Sequence, residues 1–164
     1  MTDFKMNQKL TSGLVLLRLF IGWHFLYEGI IKAYNPDWTS FGYLASAQGP
    51  FKSLFTSLAA ESILPWVDTL NWLALVFVGI TFILGIFERA GAVVGMGLLA
   101  VYYLAHPSFP GLDEIRSEGS YWLVNKNLIE LAACWVLYLQ PTGSFIGLAR
   151  LLKPKSSTTK TDLS

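Results

Sequence analysis

At 164 residues the chain has room for a single domain. Hydrophobic residues make up 53% of it and charged residues 14%, against about 25% charged in soluble domains, so most of the chain is expected to meet something other than water. A net charge of +1 with no basic tract excludes a nucleic-acid partner, and the lone Cys134 excludes a disulfide within the chain, a dithiol relay, and a thiolate-rich zinc or iron–sulfur site.

In chain order, apolar stretches at about 14–33, 66–87, 90–106 and 121–139 each approach the roughly 20 residues that cross a bilayer as a helix. Lys5 and Lys9 resemble the start of a signal peptide, but Arg18 interrupts the apolar run and no small-residue cleavage site follows, so a retained helix is expected. The connection at 34–64 is long. Within it Phe51, Leu54, Phe55 and Leu58 recur at helical spacing after Gly49-Pro50, which predicts a short amphipathic helix on the membrane surface. The turn at Glu88-Arg89 is too short for anything but antiparallel neighbours. After Pro141, residues 145–152 suggest a second surface anchor, and 155–164 read as a disordered cytoplasmic tail. The fold class expected is all-α: an integral membrane antiparallel four-helix bundle over 1–154, with interfacial amphipathic helices.

Basic residues set the orientation. Lys5, Lys9, Arg89, Arg150, Lys153, Lys155 and Lys160 fall on one side. Lys32, Lys52 and Arg116 fall on the other, offset by Asp37, Glu61, Asp113, Glu114 and Glu118. Both termini are therefore expected in the cytoplasm, across a bacterial or archaeal inner membrane crossed several times.

The polar residues of the spans coincide in position. At about 100° per residue, Arg18, His24, Glu28 and Lys32 share roughly one third of the first helix, beside Gly22 and Gly29. Phe20, Trp23 and Tyr34 face the other way. Lys126, Asn127 and Glu130 form a similar face on the fourth helix, with Lys126 and Glu130 spaced to pair along it. Asp68 and Asn71 begin the second helix, and Tyr102, Tyr103 and His106 end the third. With alternating helix directions all of these lie in the outer half, His24 near the middle and Arg18 alone in the inner half. Charges in lipid cost about 2.5–3.5 kcal/mol each and normally face inward and pair, so a polar chamber open to the outer side is expected. The alternative is a set of buried ion pairs that only fixes helix register. His24 and His106 sit at different depths without a second pair, so neither haem nor metal is predicted.

Leu17-Arg18-Leu19-Phe20-Ile21-Gly22 with Phe25, Gly29 and Lys32 resembles the first-helix signature of the DoxX/DoxD membrane proteins. Gly49-Pro50-Phe51, Gly79 through Gly85-Ile86-Phe87-Glu88-Arg89, Tyr102-Tyr103-Leu104-Ala105-His106-Pro107 and Leu123-Val124-Asn125-Lys126-Asn127-Leu128-Ile129-Glu130 are similar to its later motifs, in order. The resemblance covers about residues 12–150. It implies a four-helix membrane protein tied to quinone chemistry, the large subunit of a thiosulfate:quinone oxidoreductase in the DoxD branch, with a small DoxA-like subunit or other redox partner. On that expectation quinone is the co-substrate. Glu28 and Glu130 relay protons as the catalytic pair. His24, Lys32, Tyr102, Tyr103, His106, Lys126 and Asn127 bind the substrate, while Arg18, Asp68 and Asn71 are structural. Lipid and further copies of the chain are the other partners expected. The competing reading is a non-catalytic anchor or scaffold for a redox or detoxification enzyme.

Overall fold

The computed structural model describes residues 8–109 and 122–151. Lys5, the second outer connection with Arg116, Asp113, Glu114 and Glu118, Tyr121 at the start of the fourth predicted span, and the tail at 155–164 lie outside these residues. Every regular element among the described residues is a helix: α1 (Gln8–Tyr34), α2 (Phe41–Ala45), α3 (Lys52–Leu58), α4 (Leu64–Leu84), α5 (Glu88–Ala105), α6 (Lys126–Leu139) and a 3-10 turn at Leu148–Arg150.

Two helices, α1 and α4, are long and apolar enough to cross a membrane. At 27 residues α1 is about 40 Å long at 1.5 Å per residue. It starts earlier than the predicted boundary at 14, because hydropathy marks the apolar part of a helix and not its polar first turns. Pro65 occupies the first turn of α4, where a missing N–H costs nothing. Gly85 ends α4 in the left-handed region at φ 66°, and Ile86 N donates to Thr81 O at 3.1 Å. Phe87 also has positive φ, 50°, so the reversal is Gly85-Ile86-Phe87. Glu88 and Arg89 are therefore not the turn, as the sequence suggested, but the first residues of α5.

The fourth predicted span is shortened too. Asn125 is extended and accepts from Leu128 N at 3.2 Å, so it caps α6, which starts at Lys126 and has 14 residues. Trp122, Leu123 and Val124, counted into the span for their hydropathy, precede the helix.

Close contacts give the packing order. Gly22 lies against Phe82 and Ile83, Gly79 against Leu26, and Gly29 against Val76 and Leu75, so α1 and α4 run antiparallel with touching backbones. A Cβ on Gly79 would sit 2.6 Å from Leu26 Cα. Gly91 against Thr81 and Gly95 against Val78 set α5 antiparallel to α4. Gly95 beside Cys134 then sets α6 beside α5, and Tyr103 reaching Leu123 beyond the start of α6 makes them antiparallel. The core between the four is apolar: Ile21, Phe25, Leu75, Val78, Phe82, Leu99, Cys134 and Leu137. The outside is apolar as well. Phe20, Trp23, Ile31, Trp66, Leu70, Phe77, Val93, Val101, Ile129 and Trp135 are all exposed.

The long connection folds onto the end of the bundle where α1 stops. Helix α2 was not anticipated. Helix α3 forms where predicted, but its Phe55 is buried with Leu44, Ala47 and Ala105 against the end of α5, leaving Phe51 and Leu54 outward. At the opposite end, the anticipated anchor at 145–152 is no continuous helix over its described part. It folds under the α4–α5 turn, with Ala149 N donating to Gly85 O at 3.3 Å.

Candidate functional site

At the end of the bundle carrying the long connection, the four helices part around a cavity of about 300 Å3. Helix α1 contributes Phe25 and, from the polar face read in its sequence, His24, Glu28 and Lys32. Helix α6 contributes Lys126, Asn127 and Glu130 from its first turns, α4 gives Asn71 and Leu75, and α5 gives Leu99 and Tyr102. Trp38, Thr39, Ser40 and Tyr43 complete the wall from the connection after α1. Phe25, Leu75 and Leu99 make an apolar floor beneath polar walls.

Pairing across the cavity differs from the spacing rule. Glu130 does not pair with Lys126 along α6. Its Oε1 lies 2.7 Å from His24 Nδ1 on α1, and Lys126 enters no ion pair among the described residues. The i,i+4 spacing permits a pair, but an imidazole from the facing helix takes the carboxylate instead. Glu28 accepts from Lys32, whose Nζ also lies 5.5 Å from the centre of the Trp38 ring. Asn71 Nδ2 donates to Tyr102 Oη at 2.8 Å, leaving the tyrosine proton uncommitted.

Other anticipated residues lie outside the cavity lining. Tyr103, one position and about 100° from Tyr102, points away and donates to Leu123 O at 2.9 Å. His106 Nε2 lies 2.9 Å from Tyr43 O, with the two rings 4.3 Å apart, and so holds the connection. Asp68 accepts from Ser40 N at 2.9 Å and from the Ser40 hydroxyl, latching the cavity roof to α4. Tyr43 Oη donates to Tyr102 O at 2.9 Å. Burial pushes the Tyr43 phenol above its usual pKa, and the neighbouring Tyr102 adds to the effect.

The sequence did not single out Trp38, Ser40 or Tyr43, because residues in a connection show no helical period. The signal available was two aromatics and two hydroxyls just after a span full of charges.

A second polar assembly closes the opposite end. Arg18 is 1% exposed. Its Nη1 lies 3.4 Å from Glu88 Oε1 and donates to Thr142 Oγ1 at 3.0 Å, and its Nη2 donates to Ile146 O at 2.7 Å. Glu88 also accepts from Thr142 N at 2.9 Å and from Gly143 N. Arg18 was expected to be structural; its partners Glu88 and Thr142 were not foreseen. These groups are buried against one another, so this assembly fastens the chain, and the cavity at the other end is the candidate site.

No family model matches the chain, and neither a curated protein nor a solved structure matches it.

Proposed function

We propose that the chain crosses the cytoplasmic membrane four times with both termini inside. In this reading it is the membrane subunit of a quinone-linked oxidoreductase, with the cavity taking the quinone headgroup. One observation carries it: a cavity of about 300 Å3, at the small end of ligand sites, joins an apolar floor to donors on Lys126, Asn127 and Tyr102 that have no acceptor among the described residues. A quinone ring is flat and apolar with a carbonyl at each end, so it needs that floor and those donors. The outward-facing apolar side chains on all four long helices support a lipid surround, from which a quinone would enter. The resemblance to the DoxX/DoxD proteins supports the same class. A reduced sulfur anion such as thiosulfate is the electron donor it suggests, with a small DoxA-like subunit as partner.

Protein purified with any co-purifying subunit should bind a short-chain quinone saturably, with quenching of Trp38 fluorescence that the Trp38→Phe variant lacks. It should reduce the quinone with thiosulfate or sulfite as donor. Neither binding nor reduction in lipid discs would leave only the anchor reading.

A further inference from the structure

The cavity holds two carboxylates, and the sequence alone points to both as proton relays. Their surroundings separate them. Glu28 is engaged by the Lys32 ammonium, whereas Glu130 meets a ring nitrogen. An ionised carboxylate can only accept, so the His24 nitrogen 2.7 Å from Glu130 must carry a proton. The exchangeable position of the imidazole is then Nε2, which has no partner among the described residues, on a side chain that lines the cavity. Here Nδ1 is held by Glu130 and the side chain lines the ligand space.

We propose that His24 is the catalytic proton donor and acceptor of this cavity and that Glu130 is its positioning residue. The inference rests on the quinone reading and assigns the proton step within it. Two thiosulfate anions join through a new S–S bond to give tetrathionate, and the two electrons released reduce the quinone ring. The charged quinone oxygen then forms an O–H bond with its own lone pair as the Nε2–H bond breaks, leaving neutral imidazole. A proton taken up from bulk solution through the cavity mouth returns to Nε2, and a second transfer completes the two-proton reduction to quinol. Glu130 keeps the ring oriented. The other groups facing His24 are Glu28 and Lys32 on its own helix, Lys126 on α6, Asn71 on α4, Tyr102 on α5 and Tyr43 on the roof.

The chain has two histidines, so a His106→Gln background leaves one imidazole to observe. Nitrogen-15 spectra across a pH series should show Nδ1 protonated throughout and Nε2 as the titrating atom. Glu130→Gln offers an N–H as well as a C=O and should mix or invert the tautomer, and Glu130→Asp should restore much of it. An Nε2-protonated tautomer in the parent, or spectra unchanged by Glu130→Gln, overturns the proposal whether or not quinone is reduced. In turnover, His24→Ala should lower kcat by about 100-fold or more with a smaller change in KM, and added imidazole should restore part of it. A folded, quinone-binding His24→Ala protein with full activity, or one that imidazole leaves inactive, also overturns it. A parent protein that binds no quinone refutes the quinone reading instead, and the tautomer spectra still decide the roles of His24 and Glu130.

Discussion

Glu88 holds more of the molecule than its place beside a turn suggests. It compensates Arg18 and accepts from two backbone N–H groups, all away from water. Glu88→Ala leaves a buried guanidinium and two donors without their carboxylate, so a loss of about 3–5 kcal/mol is expected in thermal unfolding. Arg89→Ala, exposed next door, should stay within about 0.5 kcal/mol of the parent. Equal losses in the two variants would mean that the ion pair fixes nothing. Sequence could place Arg18 on an inward face, but its partners lie 70 and 124 residues away, and no local pattern links them. At the other end, Lys126 is the cavity cation without an ionic partner among the described residues. Lys126→Met should weaken quinone binding by about tenfold or more, since a hydrogen bond to a charged donor contributes about 1.5–3 kcal/mol. Unchanged affinity in a titration would remove Lys126 from the binding groups. Tyr43 gives a pH effect. A phenol raised in the folded state stabilises fully below the unfolded value near 10, and that contribution is lost as pH rises through the folded value. Alkaline unfolding should therefore begin at higher pH in Tyr43→Phe than in the parent; identical onsets would contradict the raised value.

Helix α1 was legible from angular position because one period governs its whole length. His24, Glu28 and Lys32 of its polar face line the cavity, Gly22 and Gly29 meet α4, and Phe20 and Trp23 face out. The same logic makes small residues the determinants of packing. An alanine at Gly79 puts its Cβ 2.6 Å from Leu26 Cα, which is backbone and cannot move aside alone. Gly79→Ala should cost about 1–3 kcal/mol through overpacking. At Gly97 nothing lies within 4 Å, and Gly97→Ala should gain up to about 1 kcal/mol from helix propensity. Melting curves that rank the two the other way would refute the close approach of α1 and α4. Helix ends were less legible. Ile86-Phe87 and Trp122-Leu123-Val124 are apolar enough to be counted into spans, whereas the glycine at φ 66° and the Asn125 cap decide where helix exists. Hydropathy reports the surroundings of a side chain and not the conformation of its backbone.

For the whole molecule, the number of crossings turns on α6. Its 14 residues rise about 21 Å, short of a hydrocarbon core of about 30 Å. Exposed apolar side chains extend its surface in both directions, with Trp122, Leu123 and Val124 before it and Phe145, Ile146 and Leu148 after it. Leu123 O, outside the helix, is met by the Tyr103 hydroxyl, as would be required of backbone at membrane depth if α6 crosses. Cysteine labelling separates the topologies, because native Cys134 is buried and should stay unreactive, while Lys52 and Arg150 are exposed. With four crossings and cytoplasmic termini, an impermeant maleimide should label Lys52→Cys in intact cells and Arg150→Cys only after permeabilisation. If α6 lay on the surface, both positions would share one side and label together. An inverted orientation would exchange the two results. The cavity lies at the end of the bundle that carries Lys52, so under the quinone reading proposed above the same labelling also fixes which compartment would supply the electron donor and the protons.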